Sequence, residues 1–297
     1  MEKCEFSLRN RFLRGLCRAW PITRGKWRLM TEAEKLLKPE TGTIELFGHS
    51  RFYLDLNRKG LESSFYFFYP ERYEYETQTY LSTHVRKGMT VFDIGAHIGF
   101  FTLLLAQLVA EEGRVFSFEP ESVNFSLLMK NIETNGLRQV TAFPHAVSNR
   151  RGTATLTLDS TSSGHSLTRS GGDRLKTQNI ETVCLDDFCS DHGIETVDLI
   201  KIDAEEHEDK VLEGAKVLLS KHRIKEIICE IHSTDGDSAE TSAKARNILY
   251  DHGYKSYVLN SVLSKKEFLS ELTPSEKVSG LQNILFRHCF PMAERKQ

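Results

Sequence analysis

The sequence predicts an α/β protein: a Rossmann-like, doubly wound sheet of seven strands, one of them antiparallel, behind an N-terminal extension of basic helix and β-hairpin. Three observations carry this. Residues 90–94 (TVFDI) are a short β-rich apolar run that passes through a glycine turn into an apolar stretch too long for a strand, hence a helix. The turn holds Gly95 and Gly99 in DIGAHIG. From there on, strand and helix patterns alternate and close on a terminal strand pair at 254–259 and 282–289, the signature of an α/β sheet.

Taken in order, residues 1–30 are basic, with Lys3, Arg9, Arg11, Arg14, Arg18, Arg24, Lys26 and Arg28. Phe12, Leu13, Leu16 and Trp20 fit one face of a helix. Such a helix either packs on the rest of the chain or makes a weak membrane-surface or partner contact. Arginines interrupt any apolar core, which argues against a signal peptide. Residues 43–56 (TIELFGHSRFYLDL) alternate around Gly48 and read as a hairpin. The segment 65–80 is crowded with Phe and Tyr. It either stacks on an acceptor or fills the seam between extension and core.

After the first βα unit, Gly113 ends the helix and residues 114–119 (RVFSFE) form the second strand. Residues 124–135 are helical, stopped at Gly136. Residues 140–147 form the third strand, with Pro144 demanding a bend. Residues 149–185 depart from plain alternation. They hold an exposed strand at 153–158, a polar Ser/Gly loop at 160–177 and a short strand at 180–183, so the insertion reads as a lid. Strands follow at 197–203 and 225–231, with helices at 209–220 and 239–252, and residues 261–280 read as a polar linker. The expected division is an extension at 1–80, a catalytic domain at 81–290 and a tail at 291–297.

The turn after the first strand is the candidate ligand site. In open α/β sheets, ligands sit at the carboxyl ends of the strands. Gly95 permits a positive φ or a close backbone approach, and Gly99 opens the helix N-terminus to a carboxylate. The dinucleotide pattern G-x-G-x-x-G is absent, because His97 stands where its second glycine belongs. Glu119, followed by Pro120, ends the second strand where an acid reaches the ribose hydroxyls of a nucleoside. Asp93 with this turn and Glu119 looks like a class I S-adenosylmethionine (SAM) dependent methyltransferase. The SAM-binding set is then Asp93, Gly95, Ala96, His97, Gly99, Phe100, Glu119 and Pro120, with Ala146 and Val147 placed to line the adenine.

Over most of its length the chain resembles the FkbM-type methyltransferases. The resemblance rests on Tyr53-Leu-Asp, on residues 91–102 (VFDIGAHIGFFT), on Phe118-Glu-Pro and on Ala146-Val-Ser-Asn. It continues in Leu185-Asp-Asp, residues 199–208 (LIKIDAEEHE), Val211-Leu-Glu-Gly-Ala and Glu230-Ile-His. The family pattern after Asp203 usually has glycine where this chain has Glu206. The resemblance implies SAM as methyl donor and hydroxyls of sugars, glycolipids or secondary metabolites as acceptors.

The Asn/Asp-Pro-Pro-aromatic turn of many base-amino methyltransferases is missing after the fourth strand, where the chain reads IDAEEH. Methylating a hydroxyl requires removal of its proton, so a base is needed. Asp203, Glu205 and His232 are the candidate catalytic residues, at the ends of the fourth and fifth strands. Asp203 either takes the proton or binds the SAM ammonium. Carboxylates there would also suit a divalent cation, but no established metal spacing is present, so no metal site is assigned. The competing readings are a SAM-binding regulator without catalysis, favoured by Glu206, and a nucleic-acid methyltransferase, favoured only by the basic N-terminus.

Of 297 residues, 39 are Lys or Arg and 41 Asp or Glu, for a net charge of −2, a balance that argues against whole-surface nucleic-acid binding. The expected partner is a small-molecule or glycan acceptor. The six cysteines contain no C-x-x-C pair, and no apolar run approaches a membrane span. The default expectation is a cytoplasmic protein with reduced thiols.

Overall fold

The computed structural model describes residues 6–20, 25–58, 61–158, 167, 176–232, 239–261, 267–278 and 280–288. Two helices come first, α1 (Leu8–Ala19) and α2 (Lys26–Lys35). The inward stripe of α1 is Asn10, Leu13 and Cys17, one residue set away from the expected face. Asn10 is buried because its amide answers both backbone groups of Lys38, donating to the carbonyl and accepting from the N–H at 2.8 Å each. Phe12, Leu16 and Trp20 consequently point outward.

The hairpin forms as expected from β1 (Thr41–Leu46) and β2 (Ser50–Asp55), paired antiparallel. The aromatic segment folds into α3 (Leu61–Phe68), a 3-10 turn at Pro70–Arg72 and α4 (Tyr75–His84). Most of it is seam. Tyr66, Phe67, Phe68, Tyr69 and Tyr80 are buried, and the Tyr66 ring packs against Phe52 and Phe100 at 5.4 and 5.0 Å.

The core elements follow: β3 (Thr90–Ile94), α5 (Phe100–Val109), β4 (Arg114–Phe118), α6 (Ser122–Asn135) and β5 (Val140–Phe143). Asn131 and Asn135 of α6 fasten the hairpin by bonding the backbones of Tyr53 and Arg51. Pro144 breaks the expected third strand, and β6 (His145–Val147) leaves the main sheet. It pairs with β8 (Lys176–Val183), which pairs in turn with β7 (Gly152–Leu158), so the insertion builds a small sheet of its own. Of the 160–177 loop expected to act as a lid, all but Leu167, Lys176 and Thr177 lies outside the described residues.

Next come α7 (Leu185–Asp191), β9 (Val197–Ile202), α8 (Glu208–Glu213), α9 (Lys216–Ser220) and β10 (Ile224–Ile231). The expected single helix 209–220 is split at Gly214, which lies so close to the Ser148 carbonyl that a Cβ would approach it to 2.1 Å. The described chain closes with α10 (Ala239–Asp251), β11 (Tyr254–Leu259), β12 (Leu269–Leu272) and β13 (Gln282–His288).

The main sheet has the order β12-β11-β13-β10-β9-β3-β4-β5. Five strands from β10 to β5 run parallel, and β13 is antiparallel to both neighbours, as expected. The sheet has eight strands rather than seven, because the segment read as a polar linker supplies β12 as an antiparallel edge beside β11. Helices cover both faces of this doubly wound sheet. The chain leaves β3 in one direction towards β4 and β5, then returns through β9 in the other. The switch point therefore lies between the carboxyl ends of β3 and β9.

Candidate active site

A cavity of about 360 Å³ opens at that switch point. It lies within the range typical of cofactor and substrate sites. The ends of β3, β4 and β6 supply one side of the wall with Gly95, His97, Glu119, Pro120, Ala146 and Val147. The ends of β9 and β10 supply Asp203, Glu205, Glu230 and His232, and the extension adds Phe65, Tyr73 and Glu74. All three expected catalytic residues and six of the ten expected cofactor residues are thus brought to one cavity.

The other four stand behind the wall. Asp93 is 1% exposed and accepts a 2.6 Å bond from the Thr102 hydroxyl. Ala96 is buried in the turn. Gly99, at φ +95°, starts α5 against the Leu128 side chain. Phe100 belongs to the aromatic seam. Gly95 has φ +77°, and a Cβ there would come within 1.7 Å of the Asp203 carbonyl oxygen, so the turn holds β3 and β9 together at the cavity floor.

Glu119 sits just beyond β4. One carboxylate oxygen accepts the His97 N–H at 2.8 Å and the other accepts the Glu121 N–H at 2.9 Å. Burial raises its pKa to about 7 against these two bonds, which act to lower it. The Asn124 side chain bonds the carboxylate as well, which leaves one of its roughly four acceptor positions. Nearby, the buried Nδ1 of His145 has no hydrogen-bond partner among the described residues.

Sequence reasoning passed over the group beneath the opposite wall. Lys201 lies in a central strand and is 1% exposed. Successive strand residues alternate faces, so Lys201 and Asp203 share one face, and Lys201 pairs across the ladder with Asp93. Its Nζ is 2.9 Å from Asp203 Oδ2 and 4.6 Å from the centre of the Phe101 ring. Burial alone would lower the ammonium's pKa, but Asp203, Glu74 and Asp93 outweigh it and raise it. For Asp203 burial pushes upward, and Lys201, with a bond from Glu230, wins and holds the carboxyl below its ordinary value. Glu230 goes the other way, raised well above the usual range by burial and by the charges of Asp203, Glu205, Glu208 and Glu74. The two neighbouring carboxyls are thus pushed in opposite directions, Asp203 toward its ionised form and Glu230 toward its protonated form. An i, i+2 lysine–aspartate pair at a strand end was the available signal.

His232 Nε2 lies 3.7 Å from Glu230 Oε2. His207 lies 3.0 Å from the Ser148 hydroxyl, and burial lowers its pKa. Glu208 accepts the Ala204 N–H at 3.0 Å and so closes the loop, as a helix-start acid should. Glu205 and Glu206 hold φ +50° and +71°. Glu206 adopts the left-handed conformation that glycine would take without strain, so it alters the charge of the loop more than its path. Among the described residues, no group of three His, Cys, Asp or Glu is arranged to hold a metal ion.

The profile of the Methyltransferase FkbM domain matches residues 93–256, more than half of the chain. The chain belongs to the FkbM methyltransferase family. Among curated proteins it is similar to the 31-O-demethyl-FK506 methyltransferase FkbM of Streptomyces tacrolimicus, at 29% identity over 198 residues, or 57% of this chain and 74% of that one. Solved structures include the FkbM methyltransferase of Methylobacillus flagellatus, 18% identical, covering 76% of this chain and 52% of that one with a TM-score of 0.45. Another is the Bacillus cereus O-methyltransferase in complex with SAH, 15% identical, covering 72% and 78% with a TM-score of 0.42.

SAM is the methyl donor of an FkbM-family enzyme. The cavity's own residues fit it. Glu119 faces the cavity with an acceptor position left for a ribose hydroxyl, and His145, Ala146 and Val147 offer an apolar and imidazole surface to a purine.

Proposed function

We propose that this FkbM-family enzyme is an O-methyltransferase that acts on a hydroxyl of a sugar, a glycolipid or a small secondary metabolite. The observation that carries the reading is the carboxyl group of Asp203 on the cavity wall, paired from beneath with Lys201 and beside a raised Glu230. SAM, when bound, supplies an electrophilic methyl on a sulfonium. An alcohol becomes strongly acidic only as it is methylated, so its proton needs an ionised acceptor in reach rather than a strong base. Asp203, held ionised by Lys201, is such an acceptor. Glu205 and His232 line the same wall as alternatives. Phe65 and Tyr73 offer aromatic faces of the kind that pack on sugar rings. The similarity to the Streptomyces 31-O-demethyl-FK506 methyltransferase supports the same chemistry.

Incubation with methyl-labelled SAM and a panel of glycans, polyols, amines and RNA tests this. The expected product is a methyl ether. A methylated amine, methylated RNA, or firm SAM binding with no transfer to any hydroxyl would overturn it.

A further inference from the structure

Among the described residues, none from α1 lines the cavity. On the outer face of this helix Leu8, Phe12 and Leu16 stand 80%, 69% and 45% exposed, and Trp20 just past the helix end is 40% exposed. At roughly 100° per residue, the first three span about 80° of the helix circumference and form one continuous ridge. The same arithmetic places Arg9 on one flank and Arg11 on the other, both exposed, while Arg18 beside Arg11 turns toward Phe68 and Glu71, 3.0 Å from the Glu71 carboxylate. From Phe6 to Thr31 the sequence holds seven Lys and Arg residues and no Asp or Glu. Such concentration is local, since the whole chain carries −2.

The inner face is firmly attached. Arg14 Nε donates to the Phe67 carbonyl at 2.5 Å, Arg18 donates to that of Phe68 at 3.2 Å, and Phe6 packs edge-on against Phe67 at 5.0 Å. The ridge is thus presented outward by a helix anchored on α3, the element whose Phe65 lines the cavity.

We propose that the outer face of α1 docks this protein on an anionic lipid bilayer. A narrow apolar ridge flanked by arginines matches a helix lying in the plane of the headgroups, with Trp20 at the interface. Arginines on both flanks pair with lipid phosphates as well as with general negative surface potential. A second copy of the chain fits poorly, because two such faces would bring their arginines together. No described helix is long and apolar enough to cross a membrane, so the contact is a surface one. The docking does not depend on which acceptor the cavity takes.

Sedimentation of the full chain with vesicles tests it. Binding should be at least about tenfold tighter to vesicles with about one-third phosphatidylglycerol than to phosphatidylcholine alone, and should weaken with salt. The double variant Leu8→Ser, Phe12→Ser, checked as folded by near-UV circular dichroism, should lose this binding, and Arg9→Glu should reduce it. Equal binding to both vesicle types, no binding to either, or full retention by the folded double variant would overturn the proposal. So would a concentration-dependent dimer that the double variant abolishes.

Discussion

Replacing Lys201 with Met should cost about 3–5 kcal/mol of folding stability, the scale for removing one partner of a buried ion pair. The methionine fills nearly the same volume, so the loss is electrostatic rather than a cavity. Lys201 is the cation shared by Asp203, Asp93 and Glu74. Without it, three carboxyl groups face one another in a desolvated space, and at least one must take up a proton to remain there. Because the pKa of Lys201 is raised in the folded protein, its contribution is fully present at neutral pH and fades only in strong alkali. Urea denaturation at neutral pH reads the loss. The double variant Lys201→Met, Asp203→Asn should recover part of it, since the most tightly paired carboxylate is then gone. A Lys201→Met protein as stable as the parent would show that the pair does not hold the floor of the cavity.

For Asp203→Asn the expected loss is in rate, by about 10²–10⁴, the usual contribution of a positioned proton acceptor. The amide keeps the size of the carboxylate and can still accept a bond from Lys201, but it cannot hold the acceptor's proton. SAM should remain bound, because Glu119 and the wall formed by the ends of β3, β4 and β6 are untouched. Single-turnover transfer to a hydroxyl acceptor separates the two effects. A folded Asp203→Asn enzyme that turns over at the parent rate would move the role to His232 or Glu205.

Much of this was legible because the decisive residues repeat a simple physical pattern. The run Thr90–Ile94 is apolar on both faces, so it had to be a central strand, and Gly95 and Gly99 marked the turn. Glu119 followed from its place at a strand end. Other features needed the third dimension. Asp93 reads as part of the cofactor set, and only the structure shows that its buried carboxylate accepts the hydroxyl of Thr102, nine residues on in the first turn of α5. Gly214 and Asp186 seemed to be motif residues of unknown use. Gly214 is glycine for close contact with Ser148, and Asp186 accepts the N–H groups of Val217 and Leu218 at the start of α9. The strand β12 hid in a polar segment because an edge strand exposes one side to water and needs little apolar patterning. In α1 a buried asparagine shifted the inward face, which hydrophobic periodicity alone has no means of registering.

The position of the cofactor is the claim on which the rest depends, and calorimetric titration of SAM into the parent and Glu119→Ala proteins tests it most directly. Burial raises this carboxyl to about 7 before SAM binds. Its proton is bound more tightly in the folded chain than in the unfolded one. The resulting stabilisation is complete at low pH and is lost as pH rises through about 7. Ribose hydroxyls donate best to the ionised form, so parent affinity should rise between about pH 6 and pH 8. Glu119→Ala should weaken binding by about 1–3 kcal/mol at the upper pH and flatten the dependence. A folded Glu119→Ala protein with the parent's affinity and the parent's pH profile would place SAM somewhere other than between the Gly95 turn and the end of β4.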